Sequence, residues 1–298
     1  MAKFWISCIF LVSTVMISSP SLVKSAEIIP VSPHTAGFRL VGEIKPGSYR
    51  DVIGQSISLG HDTGPEYFWL DSPGGDVREA MRLGRLARQQ MMRCTVFEDS
   101  QCNSACFLIV AGCVDRNVSS VGLHRPTFTS QEFGQLSFSE AETSYKALLQ
   151  EVQEYLRLMG ISDTVIDIMS ATPSSSMRVL RDQDLRDLIG AREPSYDEWL
   201  KSRCGTISDQ EEKDSLLLTG ARLWESHFSV MDPDTVNPAY RADFHHARSA
   251  YETVSSFSQG YKDYLGNKRS EISRCEMRAR DEAAAEHWSS IRSSRNPD

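Results

Sequence analysis

Residues 66–77 read EYFWLDSPGGDV, and this stretch contains the first clear signals for the fold. EYFWLDS is a short apolar run with aromatic side chains, which is typical of a buried strand. SPGG then predicts a tight turn. Asp76, with Glu79 three residues later, predicts a capping box that opens a helix along DVREAMRLGRLARQQ. The stretch therefore predicts a strand, a turn and a helix in direct succession.

The same order of elements continues on both sides of this stretch. FRLVGEI before it alternates apolar and polar residues like a strand, and a helix is predicted near Tyr49 to Ser58. After it, CTVFE is predicted as a strand, SACFLIVAG as a short buried helix and VSSVGLH as another strand. Repeated β-α-β alternation implies parallel strands with helices packed on them. The predicted fold class is therefore α/β.

A long amphipathic helix is predicted next. Ser139 and Glu142 predict a capping box at its start, and Gly160 predicts its end. A short helix over residues 163–170 leads into MRVLRDQDLRDLIGA. Beyond about residue 195 the segments are predicted as helical, with no convincing strand. We therefore expect one domain over residues 26–195 and a C-terminal helical region over residues 196–298.

The first 25 residues predict a secretory signal peptide. Lys3 supplies a positive region, Phe4 to Ile17 an apolar region, and Val23-Lys24-Ser25 a small-residue exit. An uncleaved N-terminal anchor is the alternative, although the apolar stretch is short for a membrane span. Removing Lys3 and Lys24 changes the formal charge from −8 to −10. Nucleic-acid binding is not expected, because it depends on Lys and Arg.

The cysteine count fits disulfide bonding in an exported protein. Of seven, Cys8 leaves with the signal peptide, and an even number remains: Cys94, Cys102, Cys106, Cys113, Cys204 and Cys275. An even count in an exported chain favours disulfides, and their connectivity is left open. Zinc is the alternative for the first four, but no CxxC pair or interleaved histidine is present. Cys204 and Cys275 could close a loop of about 70 residues, worth roughly 4 kcal/mol.

Three local features can carry chemistry. The turn SPGG can aim backbone N–H groups at one point, as an oxyanion hole requires, or simply join a strand to a helix. Ser104 stands at the start of a predicted helix, where it is either a nucleophile or an N-cap. His124 ends an apolar strand, where it is either a base or a structural residue. Together, the three favour a serine nucleophile with a histidine base.

DSPGGDV, NSACFLIVAG and GLHRP, in this order, resemble the Clp-type serine proteases (ClpP) and their relatives in the ClpP/crotonase superfamily. The 29 residues from Gly75 to Ser104 match that family's spacing of oxyanion glycine and nucleophile, and the step to His124 is a little shorter than usual. The resemblance covers residues 38–191 and implies a repeated β-α-β core with a parallel sheet. The cysteines, the signal peptide and the C-terminal helices look more like exported bacterial ClpP-like proteins.

The resemblance also implies an activity and its residues. Ser104 would be the nucleophile, His124 the general base, and the N–H groups of Gly75 and Ala105 the oxyanion hole. The chain would then be a serine-type peptidase of the periplasm or the secreted fraction. It would act on a peptide or protein without a cofactor or metal, and no membrane contact is expected beyond the signal segment. ClpP-like domains pack into rings through the helix that here spans residues 139–159, so a homo-oligomer is expected, although that apolar face can equally be internal core.

This sequence departs from the family pattern at the third catalytic residue. Its aspartate aligns close to Met177, where no carboxylate stands. Asp167 is the first choice for a shifted aspartate, because the helix before the ATP turn approaches the same place. Asp163, Asp182, Ser175 or a backbone carbonyl are alternatives. Loss of the orienting aspartate lowers the activity of a chymotrypsin-type triad by about 10⁴-fold, so activity depends on what replaces it.

Two other functions compete with the peptidase. A catalytically degenerate ClpP-like module that binds peptides or a partner protein would explain the missing aspartate. Crotonase-type acyl-CoA chemistry is less supported, because that subfamily typically uses carboxylates and CoA is not expected outside the cytoplasm. His245 and His246 are adjacent, so their rings diverge on a helix and no metal site is expected. His61, in the segment GHDTG, is predicted to be exposed.

Overall fold

The computed structural model describes residues 27–32, 35–60, 64–127 and 134–295. The predicted signal peptide over residues 1–25 and His61 lie outside these ranges. The described residues form a mixed α/β fold with a mostly parallel sheet and many helices. This agrees with the fold class that the β-α-β alternation predicted.

The main sheet is built from five strands of the described chain. They are β1 (Glu27–Ser32), β2 (Thr35–Val41), β3 (Tyr67–Asp71), β4 (Arg93–Val96) and β5 (Asp115–Val118), hydrogen-bonded in that order. The pairs β2–β3, β3–β4 and β4–β5 are parallel, as expected for successive β-α-β units. Strand β1 pairs antiparallel with β2 at the edge of the sheet. The sequence did not predict this strand, because a proline such as Pro30 cannot donate a hydrogen bond within a sheet and argues against a strand unless that strand lies at an edge.

Three helices follow the strands of this sheet. They are α1 (Ser48–Ser58), α2 (Val77–Gln89) and α3 (Cys106–Gly112). The Asp76 side chain caps α2 by accepting the N–H of Glu79 at 2.7 Å. The predicted capping box is not completed, because the Glu79 side chain accepts the N–H of Tyr49 at 2.9 Å instead. Helices α2 and α3 pack backbone to backbone, since a Cβ on Gly112 would lie 2.0 Å from the Gly84 carbonyl oxygen. Helix α3 is therefore held at a fixed distance from α2.

A two-stranded antiparallel sheet stands beside the main one. Residues predicted as a single strand, VSSVGLH, divide into the end of β5 and a new strand β6 (Ser120–Leu123). Strand β6 pairs with β7 (Arg178–Arg181) rather than with β4. The division falls at Ser119, whose N–H still donates to Val96 at 3.0 Å while the chain beyond it turns away. This turn brings β6 alongside the segment that precedes α3.

The N-cap of the long amphipathic helix α4 (Phe138–Leu158) lies two residues before the predicted one. Ser137 and Glu140 form the capping box, so the prediction of Ser139 and Glu142 is wrong. Both pairs have the S-x-x-E pattern, and the first one in the chain caps the helix. Glu142 instead lies within the helix, where it pairs with Lys146 at 2.7 Å.

The second half of α4 is buried and its first half is not. Buried side chains begin at Leu148, whereas Phe138 at the start of the helix is 84% exposed. The short helix α5 (Asp163–Ala171) follows, and α6 (Asp182–Ile189) comes after β7. Helix α4 is therefore anchored at its C-terminal end and projects from the domain at its N-terminal end.

A buried arginine joins the ends of three of these helices. Arg116 donates to the carbonyl oxygens of Ala111 at 3.0 Å, Met159 at 3.4 Å and Ile189 at 2.5 Å, at the C-terminal ends of α3, α4 and α6. Burial, followed by repulsion from Arg88, lowers the pKa of Arg116 to about 10. The side chain supplies donors to carbonyls that have no partner within their own helices.

The C-terminal region is helical, as predicted. It contains α7 (Pro194–Cys204), α8 (Asp209–Leu223), α9 (Arg241–Val254) and α10 (Gln259–Arg295), with short π and 3₁₀ turns between α8 and α9. Helix α10 returns to the main core, where Trp288 is fully buried. The end of the chain thus packs against the sheet domain.

The six cysteines outside the predicted signal peptide form three disulfides, Cys94–Cys113, Cys102–Cys106 and Cys204–Cys275. This confirms the preference for disulfides over zinc ligands. Cys204–Cys275 joins α7 to α10, and Cys94–Cys113 joins β4 to the end of α3. Cys102–Cys106 spans the segment that contains Ser104. Among the described residues, no helix combines the length and the apolar character needed to cross a membrane.

Candidate active site

The turn after β3 is hydrogen-bonded to the segment before α3. The N–H of Ser72 donates to Gln101 at 2.7 Å, and the N–H of Asn103 donates back to Ser72 at 3.0 Å. The buried Ser72 side chain also accepts the N–H of Gly74 at 3.1 Å. These hydrogen bonds hold the glycine turn against the segment that contains Ser104. Ser72 thus supports the candidate site, a role that its sequence context did not indicate.

Both glycines of the turn are required by their surroundings. Gly74 has φ 106°, and a Cβ placed there would lie 2.7 Å from Cβ of Ser104. Gly75 has φ 138°, and a Cβ there would lie 2.2 Å from the Ile44 carbonyl oxygen. Glycine is the residue that accepts both the positive φ and the close approach. Gly74 is thus the residue that lies directly against Ser104.

The backbone N–H of Gly75 is left free by the way this turn is paired. Ile44 donates its N–H to Gly74 at 2.8 Å and accepts the N–H of Asp76 at 2.9 Å. The N–H of Gly75, between these two bonds, has no acceptor within the described residues. A free donor at this position is what an oxyanion hole requires.

Ser104 adopts a backbone conformation that is rare for its residue type. Its φ is 55°, in the left-handed region, where strain usually persists only if the surrounding structure imposes it. Its N–H donates to Gly122 at 2.7 Å, and its carbonyl accepts the N–H of Phe107 at 3.0 Å. Ser104 is partly exposed. A serine that serves only as an N-cap has extended backbone, so this geometry differs from that alternative.

The residue after the serine supplies a second free donor. Ala105 is buried and precedes the first residue of α3, and its N–H has no acceptor within the described chain. Such N–H groups at a helix start lack partners inside the helix. Among the described residues, therefore, both backbone donors that the resemblance named, Gly75 and Ala105, lack an acceptor.

His124 directly follows β6, next to the serine segment. Asn103 and Gly122 form a parallel bridge, and Ser104 donates to that same Gly122, two residues before the histidine. The ring is partly exposed, and its Nδ1 lies 2.8 Å from the carbonyl oxygen of Arg125. Within the described residues, His124 has no hydrogen bond to Ser104 Oγ. Catalytic hydrogen bonds are often long in unliganded enzymes and shorten when substrate binds.

Asp167 lies on the helix that approaches the histidine segment, but on its exposed side. The C-terminal end of α5 contacts this segment, because Thr172 accepts the N–H of Arg125 at 3.0 Å. Asp167 is exposed, and no hydrogen bond joins it to His124 in the described part of the chain. Asp163 pairs with Arg157 at 2.8 Å instead.

The remaining candidates for the third residue lie along β7 and just before it. Ser175 is exposed, and Asp182 is the first residue of α6. Strand β7 pairs Arg178 with Leu123, so the next position in the same register sets Met177 opposite His124. The Met177 sulfur also lies against Gly122, 2.7 Å from where a Cβ would stand. A methionine therefore occupies the place from which a side chain could face the histidine.

A groove of about 740 Å³ runs away from this site along β7. Asn103 and Met177 line its near end, and Val179 and Arg181 continue it along the strand. Its walls are mostly polar, with Glu98 as the acidic residue. In the described residues, no cluster of three or more His, Cys, Asp or Glu side chains is suited to hold a metal.

Comparisons with known proteins find a likeness in structure rather than in sequence. No protein-family model matches the sequence, and no curated protein matches it either. Among solved structures, the chain is similar to a ClpP1 mutant from Listeria monocytogenes. The sequence identity is 16%, the TM-score is 0.38, and the match covers 53% of this chain and 90% of that chain.

Proposed function

We propose that this chain is an exported serine hydrolase, most specifically a peptidase, that uses Ser104 and His124. One observation carries the proposal: the strained Ser104 is hydrogen-bonded through its N–H to Gly122, two residues before His124. Strained backbone at a polar, partly exposed residue is typical of active sites. The free N–H groups of Gly75 and Ala105 support the same function.

The proposed chemistry assigns one task to each group. Ser104 Oγ attacks the carbonyl carbon of a substrate amide, while His124 Nε2 takes its proton and later gives it to the leaving amine. The N–H groups of Gly75 and Ala105 donate to the oxyanion that forms on the carbonyl oxygen. A water molecule then hydrolyses the acyl-serine in a second cycle of the same kind.

The compartment, the substrate and the assembly are parts of the same proposal. The predicted signal peptide and the three disulfides support a periplasmic or secreted protein. The sequence motifs that resemble those of the Clp-type proteases support a peptide or protein substrate, and the groove along β7, which begins at Asn103, offers room for it. The exposed first half of α4, with Phe138 at its start, offers a surface for a second copy of the chain.

Labelling of the purified mature protein with a fluorophosphonate tests this function. We expect stoichiometric labelling of the wild type and none in Ser104→Ala, because the probe reacts only with an activated serine. Labelling should fall at least about 100-fold in His124→Ala, which removes the base. Ser202→Ala and His245→Ala, in α7 and α9, serve as matched controls and should label normally. Labelling that persists in Ser104→Ala would refute the assignment.

A catalytically degenerate, peptide-binding module is the second candidate. It is favoured by a specific observation: in the described residues no carboxylate is hydrogen-bonded to His124. This candidate predicts no labelling of a well-folded wild type, together with equal peptide binding by the wild type and Ser104→Ala. If the chain is a peptidase, the wild type should be labelled and Ser104→Ala should not. Comparison of these two proteins therefore distinguishes the two candidate functions.

A further inference from the structure

We propose that the main-chain carbonyl of Arg125 orients His124, in place of a third catalytic side chain. This inference rests on the proposed function, since it assigns a positioning group to the same histidine. The supporting contact is the 2.8 Å distance between His124 Nδ1 and the Arg125 carbonyl oxygen. In a Ser-His-Asp triad the carboxylate accepts a hydrogen bond from that same ring nitrogen.

The contact determines which ring nitrogen carries the proton. A carbonyl oxygen can only accept, so the neutral ring must bear its hydrogen on Nδ1 for this hydrogen bond to form. Nε2 is then left with a free lone pair. A general base for a serine hydroxyl needs that lone pair on Nε2. The Arg125 carbonyl therefore selects the tautomer that the chemistry requires.

The carbonyl is held in place from both sides. The Arg125 N–H donates to Thr172 at 3.0 Å, at the C-terminal end of α5. Thr172 is itself fixed to Ile168, through its N–H at 3.1 Å and its hydroxyl at 2.7 Å. On the other side, the buried Pro126 restricts Arg125 to extended backbone. The sequence His124-Arg125-Pro126 thus places a rigid acceptor beside the ring.

The same arrangement explains why Asp167 need not contact the histidine. Helix α5 contributes through a backbone contact, because the carbonyl of Thr172 anchors Arg125, while Asp167 is exposed. A carbonyl dipole carries less charge than a carboxylate, so it stabilises the imidazolium less. The arrangement provides orientation and tautomer selection, with weaker electrostatic support for the charged ring.

Nitrogen-15 NMR of histidine-labelled mature protein tests the proposal directly. The spectrum is taken at pH 8, where an ordinary imidazole is neutral, and His124 is assigned by its loss in His124→Gln. We expect His124 to carry its proton on Nδ1. Observation of the Nε2–H tautomer would overturn the proposal, whether or not Ser104 is labelled by a fluorophosphonate.

Two substitutions separate the carbonyl from the nearby side chains. Arg125→Ala retains the carbonyl, and Asp167→Asn retains the shape of the helix while removing its charge. We expect both variants to keep the Nδ1–H tautomer, because neither removes the carbonyl of Arg125. A change of tautomer in Asp167→Asn, with labelling reduced by tenfold or more, would assign the orienting role to Asp167 instead. The tautomer tests the positioning proposal, whereas fluorophosphonate labelling tests the proposed function. The failure of one proposal can therefore be distinguished from the failure of the other.

Discussion

The backbone N–H of Ser104 donates to the carbonyl oxygen of Gly122 at 2.7 Å. This bond ties the segment before α3 to β6, and His124 stands just beyond that strand. The histidine is therefore positioned by the strand that also holds the serine. A change that moves the serine segment relative to β6 should separate the two candidate catalytic residues.

Substitution of Gly74 should disable the site by direct contact. In Gly74→Ala the new Cβ would lie 2.7 Å from Ser104 Cβ and 2.8 Å from the Asn103 carbonyl. We expect fluorophosphonate labelling to fall by at least about 100-fold, since a displacement of about 1 Å has that effect on reacting groups. Gly47→Ala is the matched control, because Gly47 has a similar φ of 102° but no atom within 4 Å of the added Cβ. Equal labelling of the two variants would contradict the prediction.

Removal of Cys102–Cys106 should lower the reactivity of Ser104, whereas removal of Cys204–Cys275 should lower only the stability of the fold. Cys102–Cys106 spans the strained Ser104, so replacing both cysteines with alanine should relax the segment and lower labelling roughly tenfold or more. Cys204–Cys275 joins two helices far along the chain. Removing it should leave labelling of the folded protein unchanged and lower the free energy of unfolding by about 4 kcal/mol, in the chain-entropy view.

Denaturant titration and labelling rates on the two double variants provide the measurement. Each variant serves as the control for the other, because both lose one disulfide. The Cys102–Cys106 disulfide closes a much shorter loop in the unfolded chain, so its entropic contribution is only about 2 kcal/mol. Labelling that falls equally in both variants would show that Cys102–Cys106 has no special role at the serine.

Local sequence patterns predicted the elements that carry the site. The helix predicted along DVREAMRLGRLARQQ is present as α2, and its apolar residues Ala80, Leu83 and Leu86 are buried at the spacing of one helix face. The strand–turn–helix order around SPGG and the helix after Ser104 are also present. These features follow from hydrogen bonding and side-chain periodicity within a few residues, which a single sequence contains.

The features that the sequence did not predict depend on distant contacts. The letters CNSAC alone do not indicate the positive φ of Ser104, because its N–H is held by the distant Gly122. The proposed role of the Arg125 carbonyl belongs to the main chain, so no residue type in the sequence can indicate it. Trp288 lies near the end of a charged, alanine-rich helix, yet it is buried in the main core. Each of these requires knowledge of which segments meet in space.

Acid should weaken the contact between α8 and α10 through one carboxylate. Contacts with Lys268, Tyr264 and the Ser208 N–H, in that order, lower the pKa of Glu211 to about 2 from its ordinary value of 4.5. A carboxylate whose pKa is depressed in the folded state stabilises the fold above the unfolded pKa. That contribution should be lost as the pH falls from about 4.5 toward 2.

Urea unfolding followed by circular dichroism at pH 6 and pH 3 measures this effect. In Glu211→Gln the loss of stability between the two pH values should be smaller than in the wild type, because one pH-dependent contribution is removed. Glu212→Gln is the control, since Glu212 is exposed and forms no ion pair in the described residues. If both glutamine variants behave like the wild type, the contact with Lys268 does not contribute to acid sensitivity.

An aspartate at position 177 should raise the reactivity of Ser104. The register of β6 and β7 sets Met177 opposite His124, and side chains at such positions lie within contact distance. Met177 is 42% exposed, so an ionised carboxylate there keeps much of its hydration. In Met177→Asp the carboxylate would stabilise the imidazolium that forms as Ser104 reacts, which a carbonyl dipole does only weakly. We expect the labelling rate to rise roughly tenfold or more.

Val179→Asp separates this effect from a general increase in negative charge. Val179 lies two residues further along the same face of β7, opposite Gly122, and is 40% exposed. It therefore adds the same charge at a similar exposure, but at a diagonal position farther from the ring than position 177. We expect its labelling rate to stay within about threefold of wild type, since an exposed charge about 7–8 Å away interacts only weakly through water. An equal rise in the labelling rate of both variants would show that the aspartate acts through added negative charge rather than through contact with His124. No rise in either variant would show that a side chain at position 177 does not reach His124.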